Sequence, residues 1–171
     1  HVESIKTPFL RANFGDSTGK LYEGSTADFR SNWIGVIEKK NNEDSADLEA
    51  IMAALEIQDD TAALAALGAV IDLDQFIRAW AMAGLIGDWD SYFGNANNWW
   101  LYENKATQLY EFIPWSMDDI LGRDNPLTGG GSVAPTYFDN AAITNRLWKM
   151  SPIRDEYRAQ ILDLKNNVWD E

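Results

Sequence analysis

The chain changes from helical to strand periodicity once between Asp44 and Trp115, and this change restricts the folds that are open to it. From Asp44 to Gly87, apolar residues recur three or four positions apart. This spacing predicts three helices: one after Asp44, an alanine-rich one from about Thr61 to Ala69, and one from Asp72, with Gln75 at capping-box spacing. The runs "WWLYE" and "LYEFIPW" then predict two strands that "NKATQ" joins as a hairpin. The pattern therefore predicts an α+β fold in which helices enclose a small β-hairpin.

The stretch before the first of these strands, "GDWDSYFGNANNWW" at residues 87–100, combines carboxylates and amides with large aromatic side chains. A hairpin of adjacent strands brings the residues before its first strand close to those after its second strand, which here are "SMDD". Oxygen ligands of this kind suit Mg²⁺ or Mn²⁺, and Mg²⁺ usually takes one or two carboxylates together with phosphates and water. We therefore expect Asp88, Asp90, Asn95, Asn97 and Asn98 to lie near Asp118 and Asp119, and we interpret Asp88 and Asp119 as structural caps rather than catalytic residues.

The rest of the chain predicts shorter elements and no domain linker, so we expect residues 1–171 to form a single domain. "HVESI" could form a short strand. "GDSTGK" differs from a phosphate-binding loop because Leu21 stands where Ser or Thr is required, so we interpret it as a turn before a strand. Residues 122–138 predict a loop, and helices are expected at roughly Asn140–Met150 and after Pro152.

The composition excludes several classes of function. The net charge is −13, and binding to nucleic acid requires Lys and Arg to displace counterions, so we expect no nucleic-acid partner. No apolar run approaches the length that spans a bilayer. The chain has no cysteine and one histidine, His1, which leaves carboxylates, amides and a metal to carry any catalysis. Because residue 1 is His rather than Met, we expect a processed chain or a fragment.

The order of helix, acidic loop, strand, turn, strand and acidic end is that of the phosphoryl-transfer site in protein kinases. In that site an Asp accepts the hydroxyl proton, while an Asn further along the loop and an Asp after the next hairpin bind the metals. Asp90 and Asn95 have the kinase spacing Asp-x4-Asn, whereas Asn98 stands directly before the strand, where the metal-binding Asn is expected. Spacing favours Asn95 and position favours Asn98, with a slight preference for Asn98.

Several segments resemble the CotH-like (spore coat protein H) family of atypical protein kinases. They are "FLRANFGDSTGKLYEG", "AGLIGDWDSYFGNANNWWLYEN", "FIPWSMDD" and the closing "LWKMSPIRDEYRAQI". The resemblance implies that ATP and Mg²⁺ or Mn²⁺ are used to phosphorylate Ser or Thr hydroxyls of protein substrates. It implies that Asp90 is the catalytic Asp, Asp118 a metal ligand, and Asn95 or Asn98 the metal-binding Asn. It also implies a location at the cell surface, in the spore coat or outside the cell.

The same resemblance implies a hinge-like segment at residues 1–30 and, at residues 44–171, the mostly helical large lobe of a kinase-like fold. Glu3 would then lie near the adenine, and Lys20 is the nearby candidate for a cation that contacts the phosphates. The small lobe of the family, with the Lys that holds the phosphates and its Glu partner, has no counterpart here. Ser116 also replaces an acid of the family's "PWDLD" motif. We therefore expect the chain by itself to transfer phosphate poorly.

Non-enzymatic interpretations remain open beside this one. Clustered Asp and Asn residues are often turn formers and helix caps, and large aromatics are more often core than stacking surface. The chain would then be a pseudokinase, or an acidic module that binds Ca²⁺ structurally and contacts glycan or protein. A structural Ca²⁺ site needs 6–8 oxygen ligands and no nucleotide, which separates the hypotheses. The tryptophans for which we expect a core position are Trp89, Trp99, Trp100 and Trp115.

Overall fold

The computed structural model describes residues 4–118, 120–121 and 138–169. Within these ranges the helices are α1 Thr7–Phe14, α2 Ala46–Leu55, α3 Asp60–Gly68, α4 Leu73–Ile86, α5 Tyr92–Asn95, α6 Ala142–Trp148 and α7 Ser151–Asn167. The strands are β1 Leu21–Gly24, β2 Glu38–Lys39, β3 Trp99–Asn104 and β4 Leu109–Pro114, and a 3₁₀ turn covers Ile34–Val36. The fold is α+β, as the periodicity predicts. None of the described helices has both the length and the apolar character needed to cross a membrane.

The predicted hairpin is formed by β3 and β4, but it belongs to a larger sheet. The four strands pair antiparallel in the order β2-β1-β3-β4. Gly24, the last residue of β1, faces Trp99, and a Cβ at Gly24 would lie 2.0 Å from the Trp99 ring. Glycine at this position therefore lets β1 approach β3. The sequence predicts β1 as a strand but not its partner, because pairing between distant strands leaves no local pattern.

Both faces of the sheet are buried. The side chains of β3 alternate, so that Trp99 and Leu101 join the main core while Trp100 and Tyr102 join a second, smaller cluster. Helices α2, α3, α4, α6 and α7 contribute to the main core, and α1 contributes Leu10 to the second cluster. The core position expected for the tryptophans is confirmed: Trp89, Trp99 and Trp100 are buried, and Trp115 is partly buried.

Helix α4 is tied to the edge strand β4 by one side chain. Asp72 caps the helix by accepting the N–H of Gln75 at 3.0 Å, as the capping pattern indicates. The side chain of Gln75 instead bonds both backbone groups of Phe112, donating to its carbonyl at 2.7 Å and accepting its N–H at 3.0 Å. This amide replaces a neighbouring strand for Phe112 and sets the position of α4 beside the hairpin.

Two sequence expectations differ from the structure at the start of the chain. Helix α1 was not predicted, although Pro8 in its first turn and Gly15 at its end, with φ of 72°, are a typical start and stop. "HVESI" is a segment that could form a short strand, but its described residues, Ser4 and Ile5, are not in a strand. Residues 122–137 of the expected loop lie outside the described residues.

Candidate functional site

The chain between α4 and β3, called here the asparagine-rich loop (residues 87–98), closes around the side chain of Asp90. Helix α4 ends at Gly87, whose φ of 70° lies in the left-handed region that favours glycine. Ala96 and Asn98 also have positive φ values, of 51° and 52°. With these turns, side chains from the end of the loop reach back to Asp90 near its start.

Three asparagine amides surround the carboxylate of Asp90. Asn95 Nδ2 donates to Asp90 Oδ1 at 3.0 Å, and Asn98 Nδ2 donates to Asp90 Oδ2 at 2.9 Å. Asn97 Nδ2 lies 3.2 Å from each of the two oxygens. No Lys or Arg among the described residues forms an ion pair with Asp90. Neutral donors alone therefore hold this half-buried carboxylate.

The amide oxygens of Asn95 and Asn98 are turned away from Asp90. A carboxylate only accepts hydrogen bonds, so the nitrogen of each amide must be the atom that faces it. No described residue donates a hydrogen bond to the Oδ1 atom of Asn95 or Asn98. Asn97 differs, because its Oδ1 accepts the backbone N–H of Thr26 at 2.8 Å. Asn97 thus holds the loop to the residues after β1, while the other two amides keep an oxygen for a ligand.

The hairpin brings the segment of Asp118 to the same end of the sheet. Trp99 is paired with Pro114, so Asn98 before β3 and Trp115 after β4 lie at one end of the hairpin. Asp118 follows shortly after and is exposed to solvent. This meeting of the two chain segments is the arrangement that the hairpin pattern predicts.

The segment after β4 is held on both sides of Asp118. Ser116 has a φ of 57°, and its hydroxyl donates to Asp118 Oδ1 at 2.7 Å. The N–H of Leu121 donates to the carbonyl of Ile86, the last residue of α4, at 2.7 Å. The segment therefore returns to the start of the asparagine-rich loop. Asp119 and Glu3 lie outside the described residues.

Lys20 lies at the other end of the sheet. It precedes β1, whose last residue is the one that faces Trp99, and four residues of extended strand span about 13 Å. Its Nζ pairs with Asp44 Oδ2 at 2.7 Å and with the carboxylate of Asp47. Hydrogen bonds to Asp44 and Asp47 raise the pKa of Lys20 above its usual range. The structure therefore does not bring Lys20 together with the asparagine-rich loop.

A buried carboxylate that the sequence does not single out, Asp28, supports the loop. Its side chain is 2 % exposed. It accepts the Tyr92 hydroxyl at 3.1 Å, the Ala142 N–H at 3.0 and 3.1 Å, and pairs with Arg30 Nε at 2.8 Å. Burial, together with the charge of Asp28, raises the pKa of Tyr92 well above its usual value, so the hydroxyl stays a donor. Because "ADFR" matches no motif, no local signal could have identified this role.

A cavity of ≈ 500 Å³ lies on the face of the sheet that α1 covers. Lys40 Nζ lies 5.3 Å from the centre of the Trp100 ring. The buried Nε1–H of Trp100 has no hydrogen-bond partner among the described residues. The cavity therefore combines an aromatic wall, an unused donor and cations. Its lining includes Ile5, Lys6, Leu10, Leu21, Lys40 and Trp100.

The described residues contain no group of three or more His, Asp or Glu side chains that could hold a metal ion. The oxygen atoms that could serve at this end of the sheet are of another kind: the amide oxygens of Asn95 and Asn98 before β3, and the carboxylate of Asp118 on the segment after β4. Such a set fits Mg²⁺ or Mn²⁺, which accept oxygen ligands and complete their shell with substrate phosphates and water.

The sequence as a whole is similar to a known protein family. A family model described as "CotH kinase protein" matches residues 1–171, the whole chain. No curated protein sequence matches the chain. The matched region contains the asparagine-rich loop, the hairpin and the segment of Asp118.

Proposed function

Because the chain belongs to the CotH kinase family, we propose that it forms the large lobe of an atypical protein kinase and transfers the γ-phosphoryl group of ATP to Ser or Thr hydroxyls of a protein. The observation that carries this proposal is the carboxylate of Asp90. It is held by three neutral amides and by no Lys or Arg of the described ranges, at the end of the hairpin that also carries Asp118.

Asp90 is the proposed catalytic base. The oxygen of the acceptor hydroxyl forms a bond to the γ-phosphorus of ATP, and the bond from that phosphorus to the β,γ-bridging oxygen breaks with its electron pair. ADP leaves, and the hydroxyl proton moves to Asp90. A carboxylate that no cation neutralises is suited to accept this proton, and the three amides fix its orientation.

The hydrogen bonds of Asp90 indicate where the acceptor hydroxyl would bind. A carboxylate offers about four acceptor positions, and Asn95, Asn97 and Asn98 occupy them. The amide of Asn97 is shared between both oxygens at 3.2 Å, which makes its bonds the longest of the set. The bonds to Asn95 and Asn98 are shorter, so the acceptor hydroxyl would most easily displace the bonds from Asn97 and take their place on Asp90.

Asp118 and the amide oxygen of Asn95 or Asn98 are the proposed metal ligands. A bound Mg²⁺ or Mn²⁺ would neutralise phosphate charge, which this protein of net charge −13 needs in order to bind ATP. The protein's own part is to present these oxygens from two segments that the hairpin fixes, on the same side as Asp90.

The cavity beside Trp100 is the proposed position of the nucleotide. Trp100 is two residues from Asn98, and Ile5 is two residues from Glu3, for which the family resemblance implies a place near the adenine. The aromatic wall suits a base, and Lys6 supplies positive charge, whereas Lys40 is paired with Glu23 and Glu38. Lys20, the cation expected from the sequence, does not line this cavity.

A pseudokinase is the second candidate, because one observation favours it. All acceptor positions of Asp90 are already used by side chains of the same loop, which is also how a purely structural carboxylate is satisfied. A structural Ca²⁺ module has less support, since the described residues contain no group of three acids that could hold a metal ion.

The two candidates separate in one experiment. Binding of ATP to the full-length protein is measured by calorimetry with and without Mn²⁺, and transfer of labelled phosphate to a Ser-rich acceptor is measured in the same samples. The kinase requires Mn²⁺-dependent binding and transfer. Binding without transfer supports the pseudokinase, and the absence of both rejects the two proposals.

A further inference from the structure

We infer that Arg30 determines the specificity for the acceptor protein by binding a carboxylate side chain, Asp or Glu, close to the hydroxyl residue. This inference rests on the proposed function, because it assigns an acceptor to the site around Asp90. It starts from a cavity of ≈ 190 Å³ beside the asparagine-rich loop. Asn95 and Ala96 line this cavity together with Arg30 and Trp33.

The cavity adjoins the proposed base through a shared residue. Asn95 lines the cavity, and its amide lies 3.0 Å from Asp90 Oδ1. Each residue of an extended peptide advances about 3.3 Å, so side chains next to a hydroxyl at Asp90 are within reach of the cavity. A volume of ≈ 190 Å³ suits one side chain and excludes a nucleotide.

Arg30 is held in place before any ligand binds. Its Nε pairs with Asp28 Oδ2 at 2.8 Å, and its Nη2 donates to the carbonyl of Asn140 at 2.6 Å. Its Nη1 makes no hydrogen bond to a described residue, and 49 % of the side chain is exposed. A guanidinium fixed at two nitrogens loses little conformational entropy when the third binds a carboxylate.

The charge of Arg30 is only partly offset inside the protein. Its partner Asp28 also accepts hydrogen bonds from the Phe29 N–H, the Tyr92 hydroxyl and the Ala142 N–H, so the carboxylate is shared among four donors. The chain has 14 Lys and Arg residues against 27 Asp and Glu residues. The guanidinium of Arg30, held beside the proposed base, should therefore bind an acidic side chain of the acceptor more tightly than a neutral one.

Arg30 also lines a second cavity, of ≈ 690 Å³, which lies between α2 and α6. This cavity adds two basic residues, Arg146 and Lys149, two acidic residues, Glu49 and Glu56, and the apolar side chain of Met52. Arg146 is paired with Asp60, so Arg30 and Lys149 are the cations left for an acidic segment. Because Arg30 belongs to both cavities, an acceptor segment can continue from the asparagine-rich loop along α6. The surface fits an extended segment whose acidic residue binds at Arg30.

The test measures peptide binding without nucleotide. Fluorescently labelled peptides carry a central Ser and a single Glu placed at each position on either side of it, and each has a matched peptide with Gln at that position. At one or two adjacent positions, the Glu peptide should bind the wild-type protein about tenfold more tightly than the Gln peptide, as expected for a charge-assisted hydrogen bond. Equal affinity of the Glu and Gln peptides at every position would overturn the inference.

Three variants assign the preference to Arg30. Arg30→Gln should remove it, and Arg30→Lys, which keeps a cation beside Asp28, should retain only part of it. Arg78→Gln is the matched control, because the Arg78 side chain is 45 % exposed and pairs with Asp163 on α7. A preference that persists in Arg30→Gln, or that falls equally in Arg78→Gln, contradicts the inference.

Circular dichroism tests whether each variant is folded. If Arg30→Gln is unfolded, the test rests on the Glu preference of Arg30→Lys and on the Glu and Gln peptides with the wild-type protein. A Glu preference without phosphoryl transfer rejects the proposed enzyme and not the docking site. Transfer without a Glu preference rejects the docking site alone.

Discussion

The two ends of the sheet both gather acidic side chains, and they satisfy the negative charge by different means. At the end where β3 begins, the described residues that bond the carboxylate of Asp90 are the amides of the asparagine-rich loop. At the end where β1 begins, Asp44 and Asp47 share the ammonium of Lys20, and Asp47 also accepts the Tyr110 hydroxyl at 2.7 Å. One end therefore has carboxylates neutralised within the protein, and the other has a carboxylate held by dipoles alone.

This difference indicates which end is available for chemistry. Carboxylates that already pair with a cation of the protein gain little from binding an external cation. The ion pairs of Lys20 also join the start of β1 to the start of α2. A carboxylate with neutral partners can still gain from a proton or a nearby cation. The proposed proton transfer therefore belongs to the end of the sheet where Asp90 has no Lys or Arg partner among the described residues, and the ion pairs of Lys20 are proposed to be structural.

The largest expected effect comes from removing the charge of Asp90. In the full-length protein, Asp90→Asn should lower the rate of phosphoryl transfer by about 10²–10⁴-fold, because an amide cannot accept the hydroxyl proton. Nucleotide affinity should change little. Initial rates and calorimetric Kd values provide the measurement. If Asp88→Asn abolishes transfer while Asp90→Asn does not, the base has been assigned to the wrong carboxylate.

Removal of the exposed carboxylate at the same end tests the metal site. Loss of a residue that only supports a metal ligand weakens metal binding by about 10–100-fold. Asp118→Ala removes a proposed ligand itself, so it should weaken Mn²⁺-dependent ATP binding by at least that factor. Its melting temperature should stay close to the wild-type value, because the side chain is exposed. Asp155→Ala, which removes an exposed carboxylate on α7, is the matched control. An unchanged affinity of Asp118→Ala for Mn-ATP would reject the assignment.

A smaller effect distinguishes the two candidate asparagines. Asn98→Gly removes the side chain and tolerates the φ of 52°, and it should weaken Mn-ATP binding by about tenfold, the low end of the range for groups around a metal. Asn95→Ala should have less effect. The opposite order would show that the Asp-x4-Asn spacing identifies the ligand and that the position before β3 does not.

At the other end of the sheet, Lys20→Met should affect stability and leave nucleotide binding unchanged. The change leaves two carboxylates without their cation and should lower the free energy of unfolding by about 1–2 kcal/mol, between the effects known for exposed and buried ion pairs. Urea unfolding and ATP affinity are measured together. Weaker ATP binding with unchanged stability would instead support Lys20 as the phosphate ligand expected from the sequence.

The smallest effect is the pH dependence of that stability difference. The hydrogen bond from Lys20 lowers the pKa of Asp44 below its usual 3.8. The stability that this ion pair contributes is therefore present above about pH 4, and it is lost as the pH falls through the lowered pKa of Asp44 in the folded protein. Thermal unfolding of the wild type and Lys20→Met should differ by a constant amount near neutral pH and converge below pH 3.8. A difference that persists in stronger acid would mean that Asp44 is not the relevant partner.

Much of the fold could be predicted from sequence because its elements carry local patterns. Helices α2, α3 and α4, the strand β1 and the hairpin occur where periodicity and turn residues predict them. The meeting of the asparagine-rich loop with the segment of Asp118 follows from the hairpin alone. Besides α1, two elements were missed because they have little pattern to recognise: α5 has four residues and β2 has two.

The sequence by itself determined which residue types stand beside the hairpin: carboxylates, three asparagines and no cation between Gly87 and Asn98. The tertiary structure decided which carboxylates acquire a partner elsewhere. Lys20 reaches Asp44 and Asp47 across 24 and 27 residues, and Asp28 bonds Ala142 across 114 residues. Periodicity arises from interactions within a few residues, whereas an ion pair depends on a distance that strand pairing and helix packing set. For that reason the sequence indicated Asp90 as a candidate site residue, and only the fold showed that Lys20 lies at the opposite end of the sheet.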